Sequence, residues 1–121
     1  MAFKFEKLKV WQKAVDFTVS VHQATQLFPK EELFILTSQI KRAADSIALN
    51  IAEGSTGQSK REFRRFLGYA ARSGIEVVSC LHLALKRELI NQNQFQGLYQ
   101  EITEIIKMIF GLKKSITKQT S

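Results

Sequence analysis

The chain has 121 residues, 45% hydrophobic and 24% charged, with one cysteine, one proline and six glycines. One domain is expected at that length, and the composition excludes collagen-like, disordered and disulfide-framework classes. Eighteen Lys and Arg against eleven Asp and Glu leave a net charge of +7, which invites a polyanionic partner without naming one.

The N-terminal segment, residues 1–7, carries charges where a secretory signal needs an apolar run. No apolar stretch approaches the roughly 20 residues that cross a bilayer. A cytoplasmic protein without a membrane partner is therefore expected. Cys80 stands alone, so an intramolecular disulfide is excluded.

The first helix is expected over residues 8–27. Trp11, Ala14, Val15, Thr18, Val21 and Thr25 recur at helical spacing, and Val10 and Phe17 make a second apolar face. Pro29 cannot continue this helix and presets the next. The second helix is expected over 31–53. Glu31 and Glu32 sit in its first turn, at the positive end of the helix dipole. Leu36, Ile40, Ala44, Ile47 and Ile51 line one face, and Gly54 is read as its stop.

The third helix, expected over 59–89, opens with Ser59-Lys60-Arg61-Glu62, a capping box in which hydroxyl and carboxylate satisfy exposed backbone donors. Phe63, Leu67, Ala70, Gly74, Val77, Leu81 and Leu85 follow at alternating steps of three and four. The fourth is expected over 92–117, capped by Asn91 or Asn93. Its seam, Phe95, Leu98, Ile102, Ile105, Ile109, Leu112 and Ile116, steps by three and four throughout. Short links between four helices predict an all-α, antiparallel up-down-up-down bundle. Phe34, Ile35, Phe66, Tyr69 and Val78, with Val10 and Phe17, exceed what one bundle buries, so a homo-oligomer is expected.

No catalytic, metal or cofactor signature emerges. His22 and His82 lie on different helices without a second ligand at i+3 or i+4. Neither follows an arginine by the four to six residues that several helical nucleases use. Gly54 and Gly57 fit no nucleotide-binding loop. Cys80, between Val77 and Leu81, reads as a buried thiol. A polar stripe on the second helix, Gln39, Arg42, Ser46, Asn50 and Glu53, is answered on the third by Arg72, Ser73 and Glu76. Glu53 and Glu76 as acid and base would make a nuclease conceivable, but no nucleophile, metal ligand or oxyanion donor converges with them. A structural network of Gln39, Arg42, Ser46, Asn50, Glu53, Ser73 and Glu76 is the preferred reading.

The positive charge is uneven. Residues 41–72 hold seven basic and three acidic side chains, whereas 73–106 hold two basic and four acidic ones. On a helical wheel Arg61, Arg65 and Arg72 fall within about 40° of one another. Arg64 and Lys60 widen this patch, and Lys41 precedes it on the second helix. Lys107, Lys113, Lys114 and Lys118 form a second basic cluster. Guanidinium groups in a row suit phosphates, and the lack of a helix-turn-helix or an aromatic-and-basic loop points to backbone contacts rather than sequence readout.

Several stretches together resemble one family. They are Phe5-Glu6-Lys7-Leu8-Lys9-Val10-Trp11-Gln12-Lys13-Ala14, Phe28-Pro29 with Glu32, and Ser38-Gln39-Ile40-Lys41-Arg42-Ala43-Ala44-Asp45-Ser46 running into Asn50-Ile51-Ala52-Glu53-Gly54. Glu62-Phe63, Phe66-Leu67, Ala70-Ala71, Ser73 and Glu76 complete the set. This combination resembles the four-helix-bundle proteins of the 23S ribosomal RNA intervening-sequence family. Ile35-Leu36 and Ala48-Leu49 depart from its usual Gly-Leu and proline. The resemblance implies a homopentamer and no known catalytic residue. It also links the chain to basic pentameric accessory subunits of reverse transcriptases in diversity-generating retroelements. A non-enzymatic RNA or DNA binder is thus the leading expectation, and an adaptor docking on a reverse transcriptase the alternative.

Overall fold

A computed structural model describes the backbone of residues 2–57 and 59–120 and the side chains of 2–57 and 59–117. Among these residues the secondary structure is helical throughout, with no strand. The four long helices are α1 (Lys9–Thr25), α2 (Ser38–Ser55), α3 (Lys60–Lys86) and α4 (Gln92–Thr120). Each packs on two others, α1 on α2 and α4, and α3 on α2 and α4.

The three seams read from the sequence of α2, α3 and α4 form the core. Leu36, Ile40, Ala44, Ile47 and Ile51 are buried, as are Phe63, Leu67, Ala70, Val77 and Leu81 opposite them. From α4 come Phe95, Leu98, Ile102, Ile105, Ile109 and Ile116. Cys80 is buried with them, and burial, reinforced by the Glu76 carboxylate, pushes its thiol pKa up. That suppresses the thiolate.

On α1 the second face proves to be the core face. Val10, Ala14, Phe17, Val21 and Thr25 are buried, Phe17 completely. Trp11, Val15 and Thr18 are only half-buried and border a groove with Ala48, Leu49 and Ala52 of α2. The two stripes share Ala14, Val21 and Thr25, and the bulk of Phe17 decides which fills the centre. Val10 and Phe17 are therefore not surplus surface.

The start of α2 also departs from expectation. Pro29 initiates a 3₁₀ turn (Lys30–Glu32), followed by a π turn (Leu33–Thr37) before α2 begins. The wider turn takes up one extra residue, the usual mark of a π-bulge. Leu36 and Thr37 are buried, while Leu33, Phe34 and Ile35 face outward. Glu32 is tied to the far end of α3 by Arg87, with Nη1 3.6 Å from its Oε1.

α3 ends at Lys86, three residues early, in a complete Schellman motif. The Leu89 N–H donates to the Ala84 carbonyl (2.9 Å), and that of Glu88 to Leu85 (3.0 Å). Glu88 occupies the left-handed position (φ 61°) that glycine usually takes. Asn91, not Asn93, caps α4. Its Oδ1 accepts from the Gln94 N–H and its own N–H donates to Gln94 Oε1, both at 2.8 Å. At the α1–α4 seam, Lys13 pairs with Glu104 (3.1 Å) and the Ser20 hydroxyl donates to Glu101 (3.2 Å). Burial there raises the Glu101 carboxyl pKa; the Ser20 hydrogen bond and Lys13 oppose the shift, and Asp16 adds to it.

Gly54 does not stop α2, because the helix runs through it to Ser55 and its φ is not positive. A Cβ there would lie 2.6 Å from Phe66 Cβ and 3.1 Å from Phe63 Cδ1. Gly54 is therefore the close-approach point of α2 and α3. At Gly97 and Gly111 on α4, a Cβ would meet nothing within 4 Å. Gly54→Ala should cost about 2 kcal/mol through overpacking, whereas Gly97→Ala and Gly111→Ala should each add about 1 kcal/mol by helix propensity. Chemical denaturation of the three variants checks the opposite signs.

Candidate nucleic-acid interface

The N-terminus of α3 is built locally. Ser59 is extended (φ −149°, ψ 159°) and its hydroxyl accepts from the Glu62 N–H at 3.0 Å, as the capping sequence predicts. The carboxylate of Glu62 is close enough to Gly57 that a methyl there would meet it at 3.3 Å. One turn on, Phe66 rests against Gly54 and carries the Arg65 guanidinium 5.7 Å above its ring.

The contacts of α3 with α4 run in opposite senses along the two helices. His82 meets Phe95 and Tyr99, Gly74 meets Ile102 and Ile106, and Gly68 lies beside Lys113. The end of α4 thus returns to the start of α3. An open cleft of about 440 Å³ results, lined by Ser59, Arg61, Glu62, Arg64, Arg65 and Lys113. Among the described residues, three guanidinium groups, an ammonium and one carboxylate line it, beside the positive end of the α3 dipole. Lys113 lies directly over Gly68: a Cβ at that position would be in ordinary contact with its Nζ, at 3.5 Å. One lysine of the second basic cluster, Lys113, therefore joins three arginines of the first.

The other basic residues divide. Lys60 is exposed at the first position of α3, and Arg72 is exposed on the Arg61–Arg65 face further along. Lys41 belongs elsewhere. It is half-buried and lines a separate hollow with Thr25, Phe28, Pro29 and Thr37, about 21 Å along α2 from the Ser55 end. Lys107 and Lys114 are exposed outside the cleft, and the Lys118 side chain lies outside the described residues.

The polar stripe resolves into a group of three and separate contacts rather than one network. Ser73 Oγ donates to Ser46 Oγ (2.9 Å), and Asn50 Nδ2 donates to the Ser46 hydroxyl and carbonyl (2.9 and 2.8 Å). Gln39 Nε2 reaches Glu76 Oε2 at 3.4 Å. Arg42 turns back to Ser38 Oγ (2.9 Å) instead of crossing to α3. Glu53 is exposed at the opposite end of α2 from Gln39, so Glu53 and Glu76 are separated by about 20 Å of helix. They do not form an acid–base pair. Among the described residues, no group of His, Cys, Asp and Glu is arranged to hold a metal ion, and no helix is long and apolar enough to cross a membrane.

The helices, their seams and a basic cleft at one end define an all-α four-helix protein. The chain matches the model of the 23S rRNA-intervening sequence protein family over residues 6–111 and belongs to that family. A crystal structure at 1.70 Å from Bacteroides thetaiotaomicron is similar, that of a protein with unknown function from the S23 ribosomal protein family. It shares 29% identity, with a TM-score of 0.79 over 87% of this chain and 98% of the other. No curated protein matches.

This division of the polar stripe separates its members energetically. Ser73→Ala leaves the half-buried Ser46–Asn50 group short of a donor and should cost about 1 kcal/mol. Glu53→Gln, at an exposed site, should stay within about 0.5 kcal/mol of the parent. Thermal denaturation of the two variants distinguishes them.

Proposed function

We propose that the protein is a non-enzymatic, basic nucleic-acid-binding protein that works as a homo-oligomer of up-down-up-down bundles, a pentamer by family resemblance. The observation that carries this reading is the convergence of Arg61, Arg64 and Arg65 with Lys113 in one open cleft. Four cations held together in water repel one another, and a phosphate chain relieves that repulsion while releasing counterions. The contacts address the backbone, so RNA and DNA are both ligands, with little sequence preference. The family's association with 23S rRNA intervening sequences is compatible with an RNA partner.

Assembly is supported by the apolar side chains that one protomer leaves outside. Phe34 is 89% exposed and Leu49 66%, with Ile35 and Leu27 also in the open. Burying such groups between copies is the usual remedy. A ring would repeat the cleft and turn weak phosphate contacts into avid binding. The same apolar groups would serve the alternative role, docking on a polymerase, and a protein complex that survives nuclease treatment would favour it.

Two measurements test the reading. Binding of a labelled oligonucleotide should weaken with salt, log K falling with log[salt] with a slope of about −3 for four cations per site on a single strand. Arg61→Glu with Arg65→Glu should abolish it while leaving the helical circular dichroism intact; salt-insensitive binding, or none at low salt, overturns the proposal. Light scattering should return a multiple of the 13.8 kDa protomer mass, five-fold for the pentamer, and a monomer mass contradicts assembly.

A further inference from the structure

We infer that the ligand of this cleft is single-stranded nucleic acid, and that Tyr69 is the platform on which one of its bases stacks. The inference rests on the phosphate-binding reading above and adds to it the class of strand.

The helical wheel of α3 places Tyr69 about 40° from Arg65 and about 60° from Arg72. Arg61, Arg65, Tyr69 and Arg72 therefore form one stripe about 16 Å long, with Lys113 of α4 beside Gly68 along its edge. Along the helix axis Tyr69 falls between Arg65 and Arg72, on the flank of the stripe that faces Phe66, just outside the cleft lining. It is 39% exposed, so ring surface is open along a phosphate-binding track.

The ring is also braced. Tyr69 stands edge-to-face on Phe66, with centroids 5.4 Å apart and planes at 81°. The same Phe66 carries the Arg65 guanidinium and is seated against Gly54, the closest approach between α2 and α3. One half-buried phenylalanine thus fixes a planar cation and an exposed aromatic side by side. A braced ring loses little conformational freedom when a base settles on it.

A cationic track with an interleaved aromatic is the arrangement that binds single strands without sequence preference, because every base has a π-face. A duplex uses its base faces internally and presents only phosphates and groove edges. Tyr69 therefore favours unpaired over paired strands. The guanidinium of Arg65 adds a second planar surface of the kind on which unstacked bases rest.

The test compares three labelled oligonucleotides by fluorescence anisotropy at low salt: a single strand, its duplex, and a single strand whose central residues are abasic. The parent protein should bind the intact single strand most tightly. Tyr69→Ala should weaken that binding on the order of tenfold, with little change for the duplex or the abasic strand and an unchanged salt slope. Tyr69→Phe should bind like the parent. If Tyr69→Ala leaves the intact strand unaffected, or weakens all three ligands equally with the fold intact by circular dichroism, the stacking role is overturned and the phosphate-binding reading stands. If the parent binds none of the three, or the Arg61→Glu, Arg65→Glu variant binds as well as the parent, the phosphate-binding reading itself fails.

Discussion

The close contact of α2 with α3 at Gly54 is the constraint on which the rest of this end depends. With no side chain at that position, the Cβ of Phe66 approaches to a distance that a second Cβ could not share. The contact draws the start of α3 against the end of α2, so the chain turns from Ser55 to the cap at Ser59 in a few residues. Phe66, held there, bears on both Arg65 and Tyr69. On its other flank α3 meets α4 in a similar way. A Cβ at Gly74 would lie 2.9 Å from Ile106. Gly54 and Gly74 thus act by permitting proximity. No described glycine has a positive φ, and the one described residue that does is Glu88.

The electrostatic layout opposes the packing. Hydrophobic burial along the seams, at roughly 25 cal/mol per Å² of apolar surface, is ample to hold four helices together. It also brings like charges to one end, where three arginines, a lysine and a glutamate line the cleft among the described residues. Two ion pairs join distant parts of the chain, Lys13 with Glu104 and Glu32 with Arg87. Exposure to water and salt keeps the cost of the cationic end small, and a bound polyanion would remove it. The acidic excess of residues 73–106 lies in the remainder of α3, the turn after it and the first half of α4.

Much of this is legible in the chain. The three-four spacing of apolar residues locates α2, α3 and α4 and most of their buried faces, because a helix presents such residues on one side wherever it is placed. The cap at Ser59 and the reach of Asn91 are also readable, being local interactions within four residues. The π turn at Leu33–Thr37 is not, since its widened geometry follows from fitting Leu36 and Thr37 inside while Pro29 and Glu32 hold the approach. Nor is the face of α1, where two stripes share Ala14, Val21 and Thr25 and only the cavity left by the other helices selects Phe17. Along the chain Tyr69 reads as surplus apolar surface, because its significance comes from Phe66 and from cations one turn away on the same face.

By itself the sequence determined that this is a basic all-helical protein with four amphipathic segments, since periodicity, caps and net charge are properties of neighbouring residues. Tertiary structure decided which charges belong together. Lys41 and Arg61 are both in the basic stretch of the chain yet sit in different hollows, whereas Arg61 and Lys113, fifty-two positions apart, line one cleft. The reason is geometric: a helix carries its residues apart at about 1.5 Å each, and only the return of a later helix brings distant ones back. What began as a diffuse excess of positive charge is thereby given a place, a depth and an aromatic neighbour.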